Sequence, residues 1–178
     1  MRVPRREPRL GVDIGRVIID GSAHPGGGDT AFFAGDEATM LATPEMPGAI
    51  AAIAELAEAF GYRVWLVSKC GPRVQERSLR WLAGHDFWTR TGIAPDHVRF
   101  CRLRPQKRDH CVELGLTHFV DDRADVHAAI HDVVPYQYYF GPGHGAHPVH
   151  GIATPTWPDV LRAIQATLVH APTGRQRP

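Results

Sequence analysis

The stretch "LGVDIGRVIID", residues 10–20, decides how this chain is read. Leu10, Gly11 and Val12 read as a buried strand, and Asp13 closes the run with a lone carboxylate, a group that is costly to bury without a partner. Two positions later, where a second carboxylate would make chemical sense, stands Gly15. β-Branched residues flank both, so residues 10–19 are expected to form a strand with a turn in it. In an open α/β sheet, ligands collect beyond the carboxyl ends of the strands, and Asp13 lies at such an end.

Downstream, "DGSAHPGGGD" (20–29) is a breaker-rich loop. "PGAIAAIAELAEAFG" (47–61) is an amphipathic helix with Ile50, Ile53, Leu56, Ala57 and Phe60 on one face. "RVWLVSKCG" then reads as a strand and "PRVQERSLRWLAG" as a second helix. "VRFCR" is a strand, "PQKRDHCVELG" a helix with Pro105 at its mouth, and "THFVDD" another strand. "ADVHAAIHD" is a short helix, "YQYYFG" a strand, "GPGHGAHPVHG" an irregular loop, and "WPDVLRAIQATLV" the last helix. Strands alternating with helices predict an α/β fold, a three-layer Rossmann-like core with a mostly parallel central sheet and helices on both faces. With no repeat and no dividing linker, residues 1–178 read as one domain, with 1–8 and 171–178 as flexible tails.

Composition narrows the function classes. The 178 residues carry a net charge of +1, which gives no global electrostatic case for nucleic acid or an anionic membrane. No apolar run has the length of a membrane span, and no signal-peptide core opens the chain. Three cysteines, Cys70, Cys101 and Cys111, form no CxxC pair, a pattern of reduced thiols that points to the cytoplasm. His144, His147 and His150 are spaced by three, but the glycines and prolines around them argue for an irregular loop, and no fourth zinc ligand is identifiable.

Several polar groups share one placement. Asp13 ends the first strand, Ser68 and Lys69 the second, and Asp121 and Asp122 the "THFV" strand, while Lys107 opens the helix before that strand. In this order the motifs resemble those of the haloacid dehalogenase superfamily of phosphohydrolases. "VDIGRVI" resembles the first motif, with Asp13 at the nucleophile position, and "LVSKC" the second, with Ser68 after a hydrophobic strand. Lys107 stands where the third motif has its lysine, and "FVDDRAD" resembles the acidic fourth. Each motif alone is weakly specific; the ordered set over residues 10–126 is strongly so.

The resemblance implies a phosphatase. Mg²⁺ would be bound by Asp13, the backbone carbonyl of Gly15 and Asp121, an oxygen donor set that suits this ion. Asp13 would attack phosphorus to form an aspartyl-phosphate, Ser68 would hydrogen-bond a phosphoryl oxygen, and Lys107 would neutralise charge on both. Asp122 would orient metal-bound water or Lys107, and Asp125 would support from behind. Apart from the resemblance, Arg16, Lys69 and Arg123 read either as contacts to the rest of the substrate or as solvated charges. Family phosphatases usually carry an acid/base aspartate two residues after the nucleophile. Gly15 departs from that pattern and resembles a DxGxV variant seen in sugar-phosphate phosphatases, with Arg16 as a bulky occupant of the next position. Asp20, His24 and Asp29 are candidate replacements, none singled out by spacing. The segments after the first motif and before the third are too short for a separate cap domain. "TAFFAGDEATML" reads either as a small flap, with Phe32 and Phe33 excluding water, or as aromatics packed under a long loop.

The expected partner is a small phosphorylated substrate, a nucleotide or another metabolite, at a site open enough to leave nucleic acid and homo-oligomers as options. The alternative from another class is a phosphate-binding scaffold that has lost turnover with its acid.

Overall fold

The opening apolar run forms an inner strand. In the computed structural model, which describes residues 7–23, 29–144 and 150–169, β1 spans Leu10–Val12 with all three residues buried. It pairs in parallel with β2 (Val64–Lys69) on one side and β4 (His118–Arg123) on the other. Beyond β2 lies β3 (Val98–Cys101), and beyond β4 lie β5 (Tyr136–His144) and β6 (Ile152–Thr154). The described strands make one sheet of order β3-β2-β1-β4-β5-β6, parallel throughout, the expected α/β architecture. Near-continuous apolar runs such as "VWLV" suit such strands, because both faces of the sheet are covered.

The pleat divides the core. Val64 and Leu66 join a cluster with Ile50, Phe60, Trp81 and Trp157, whereas the alternate residues Trp65 and Val67 join Phe119, Leu114, Val126 and Ile130. The first cluster is closed by α3 (Ala49–Ala59), α4 (Pro72–Gly84), α5 (Phe87–Thr91) and α8 (Trp157–Val169), the second by α6 (Lys107–Leu114) and α7 (Ala124–Ile130). Among the described residues, no helix is long and apolar enough to cross a membrane.

Three expectations change. The first strand stops at Val12, because the Ile14 carbonyl accepts from the Ile18 and Ile19 amides (2.8 and 3.1 Å) and closes a turn that leaves Ile14, Val17, Ile18 and Ile19 buried. Regular structure occupies parts of the breaker-rich segment and the residues after it: a 3₁₀ turn at Gly21–Ala23, α1 (Asp29–Ala34) and α2 (Glu37–Leu41). Asp36 caps α2 by accepting from the Thr39 amide at 2.8 Å, and Phe32 and Met40 are buried in the core while Phe33 stays exposed. Third, β5 continues past Phe140, so His144 lies in a strand opposite Arg123 rather than in an irregular loop; pairing with β4 satisfies that backbone. Near the N-terminus, Arg63 donates to the Pro8 carbonyl (3.3 Å) and lies 3.7 Å from Glu7. His24, His147 and residues 171–178 lie outside the described residues. His150 stacks on His131, ring centroids 4.4 Å apart.

Candidate active site

The strand order reverses direction about β1, since the chain moves outward to β2 and β3 on one side and fills β4, β5 and β6 on the other. A crevice opens at such a switch point, beyond the carboxyl ends of the two central strands. The Asp13 amide donates to the Val120 carbonyl at 3.0 Å, which locks the residue after β1 beside the end of β4. The next turn puts its apolar side chains inward and leaves Gly15 and Arg16 at the surface, with Arg16 in the left-handed region (φ 62°). Trp157 holds this turn from the core side by donating its indole N–H to the Val17 carbonyl at 2.8 Å.

Lys107 reaches the same point from α6. Pro105 sits in the preceding 3₁₀ turn, and the Gln106 side chain accepts from the Arg102 and Leu103 amides at 3.1 and 2.9 Å, fixing the approach. The Lys107 ammonium is 2 % exposed and lies 2.8 Å from Asp13 Oδ1 and 2.6 Å from Asp121 Oδ2. The other Asp121 oxygen accepts from the Arg123 amide at 2.9 Å. Adjacent strand residues ordinarily face opposite sides of a sheet. Pairing between β4 and β5 is irregular over Asp121–Arg123, the point at which both Asp121 and Asp122 join Asp13 in one group. Carboxylate oxygens of the three lie within 4.8 Å of one another, all on buried residues.

Three buried carboxylates against one ammonium leave an excess of negative charge. Burial, with Asp13 adding to it and Lys107 opposing, pushes Asp121 up to about 7. Burial and then Asp13 push Asp122 up to about 6, against Lys107, Arg16 and Arg123. Burial disfavours the charge of Lys107, but Asp121 and Asp13 outweigh it and raise its pKa above the ordinary lysine value, so it stays an ammonium. A cluster of hard oxygen donors with surplus negative charge fits a divalent cation, and Asp13, Asp121 and Asp122 are the side chains that could hold one.

Asp13, Asp122 and Lys107 line a cavity of about 360 Å³ together with Gly15 and Ser68, and Asp121 lies buried outside its lining. Ser68 is nearly buried at the end of β2, where the Cys101 thiol donates to its carbonyl at 3.8 Å. Lys69, Arg16, Phe32 and Phe33 also line the cavity. Asp125 is not among the lining residues; its carboxylate pairs instead with Arg104 (3.6 Å) and Arg123 (3.4 Å), which are. Asp20 also lies off the lining, where it accepts from Ser22 Oγ at 2.5 Å and the Ala23 amide at 3.2 Å. Cys70 lines the cavity, but burial and then Asp13 push its thiol up to about 11, which keeps it protonated.

Sequence reasoning missed the support behind the carboxylates. His127, fully buried on α7, donates through Nε2 to the Asp121 carbonyl at 3.0 Å, and its Nδ1 meets the Gln137 side-chain amide at 3.0 Å. Its position three residues before Ile130 in a short helix is compatible with an inward face, but nothing local marks the strand it reaches. Arg104 was likewise one arginine among several.

No family model matches the sequence, and no curated protein sequence matches it. Solved structures do. The chain aligns with D,D-heptose 1,7-bisphosphate phosphatase from B. bronchiseptica, a structure complexed with magnesium and phosphate, at a TM-score of 0.63 and 16% identity, over 89% of this chain and 99% of that one. It aligns with a haloacid dehalogenase-like hydrolase from Xanthomonas campestris at a TM-score of 0.61 and 15% identity, over 95% and 98% of the two chains. Near-complete coverage in both directions, with the parallel sheet and its switch point, shows that this chain shares the fold of these two structures.

Proposed function

We propose that this chain is a Mg²⁺-dependent phosphomonoester hydrolase acting through an aspartyl-phosphate on Asp13. The observation that carries the reading is the Lys107 ammonium held between Asp13 and Asp121 at the floor of the cavity. Similarity in fold to a phosphatase complexed with magnesium and phosphate supports it. Mg²⁺ held by Asp13, Asp121 and the Gly15 carbonyl, with Asp122 beside them, would supply positive charge against the phosphate dianion.

The chain's own residues do the rest. Asp13 attacks phosphorus, the bond to the ester oxygen breaks, and the departing alkoxide takes a proton from solvent, because residue 15 has no carboxylate to give one. Lys107 stays charged throughout and serves as a fixed counter-charge. Ser68 donates to a phosphoryl oxygen, Asp122 orients the hydrolytic water, and Arg16 and Lys69 meet the substrate along the cavity lining. Water then attacks the aspartyl-phosphate, releasing inorganic phosphate and restoring the Asp13 carboxylate. The substrate class is a small phosphorylated metabolite, nucleotides included, and the free, buried thiols suit the cytoplasm.

Hydrolysis of p-nitrophenyl phosphate with and without Mg²⁺ tests the reading, since this leaving group needs little acid help. Turnover that requires Mg²⁺ and falls to background in Asp13→Asn is expected. Folded wild-type protein that binds Mg²⁺ and phosphate without turnover would instead support the scaffold reading, which draws on the missing carboxylate at Gly15 and on the engaged one at Asp20.

A further inference from the structure

The cavity has a cationic wall that hydrolysis of a simple phosphate ester does not use. Arg104 comes from the turn before α6 and Arg123 from the end of β4, and both line the cavity alongside Asp13 and Ser68. Both guanidinium groups pair with the one carboxylate of Asp125. One acid shared by two arginines holds them together and leaves the pair net positive. Those contacts are long, at 3.6 and 3.4 Å, and half-exposed, so they orient the arginines without saturating their donors. Arg123 is also anchored through its backbone, since its amide donates to Asp121. At about 360 Å³ the cavity lies toward the small end of metabolite sites, yet has room for more than a phosphoryl group.

We infer that Arg104 and Arg123, clasped by Asp125, form a second anion subsite, and that the substrate is a small phosphate monoester bearing a second anionic group, a phosphate or a carboxylate. Paired arginine forks suit either group, and a planar guanidinium gives directional recognition that a lysine would not. The inference rests on the phosphatase reading for the position of the first phosphate.

Three compounds of one carbon skeleton test it in Mg²⁺: glycerol 3-phosphate with a neutral tail, 3-phosphoglycerate with a carboxylate tail, and glycerol 1,3-bisphosphate with a phosphate tail. The wild type is expected to favour at least one anionic tail by tenfold or more in kcat/KM, and which one identifies the anion. In the Arg104→Gln/Arg123→Gln double variant that preference falls at least tenfold relative to glycerol 3-phosphate, and in the wild type it weakens with added salt. A wild type indifferent to the tail, or a preference that survives in the double variant, overturns the subsite. If none of the three is hydrolysed, thermal melts with the same compounds separate the two claims. Stabilisation by an anionic-tail compound in the wild type alone keeps the subsite while the phosphatase reading fails; equal stabilisation of both proteins, or none, overturns the subsite as well.

Discussion

Position 15 lacks a carboxylate without lacking space for one. A Cβ built on Gly15 would meet no atom within 4 Å, and its backbone is outside the left-handed region that glycine alone tolerates well. The residue lines the cavity beside Asp13. Gly15→Asp is therefore expected to fold as the wild type does and to place an acid where a leaving group departs. General acid–base help is worth roughly 10²–10⁴ in rate, and alkyl esters need it far more than aryl esters. The expected outcome is a kcat on glycerol 3-phosphate raised by about 10²-fold, with a change of only a few-fold on p-nitrophenyl phosphate. Equal gains on both substrates, or none on either, would show that residue 15 does not face the departing oxygen.

Strand β4 carries opposite demands at its two ends. Its carboxyl end presents Asp122 to the cavity with Asp121 buried behind it, while its first residue, His118, is buried between Thr117 Oγ1 (2.7 Å) and Thr167 Oγ1 (2.9 Å) and stacked against Tyr136. Burial pushes His118 down from 6.5 to about 4. Because the folded form then binds fewer protons than the unfolded chain between those values, His118 removes stability as pH falls through 6.5 toward 4. The full linkage is on the order of 3 kcal/mol at most. His118→Gln keeps a polar group there but takes up no proton. Chemical denaturation at pH 7 and pH 4 should thus show the wild type losing more stability than this variant, and parallel losses would remove His118 as the cause. Element by element, the strands were legible because inner parallel strands are continuous apolar runs, and the Asp13, Ser68, Lys107, Asp121 and Asp122 placements came from strand ends and a helix mouth. What stayed illegible is non-local. The glycine in "LGV" makes room for Phe119, whose ring would lie 2.5 Å from an added Cβ, yet that contact joins residues on different strands. The short helices α1 and α2 lie in a segment whose glycines obscure the amphipathic pattern. The Arg104–Asp125–Arg123 clasp exists only because the turn before α6 converges with the junction of β4 and α7.

For the molecule as a whole, the proposed metal site would exchange protons for a cation, and folding stability would register the exchange. Without metal, Asp121 and Asp122 sit at about 7 and about 6, above the 3.8 of an exposed aspartate. The folded form then holds more protons than the unfolded chain between about pH 4 and 7, so these two groups add stability as pH falls through that window and withdraw it as pH rises. Mg²⁺ bound at the proposed site would relieve the same repulsion at high pH and have to displace protons at low pH. At a concentration of 100 Kd it would stabilise the folded state by about 2.7 kcal/mol. In a domain of this size that is a Tm increase of roughly 5–11 °C. The increase is expected to be largest near pH 8 and to shrink toward pH 5. Asp121→Asn removes one carboxylate from the surplus, so it should match or exceed the wild type's Tm without metal at pH 8 and gain little from Mg²⁺. A Mg²⁺ effect that is independent of pH, or one that persists undiminished in Asp121→Asn, would place the cation elsewhere on the molecule and leave the buried charge to be balanced by protons alone.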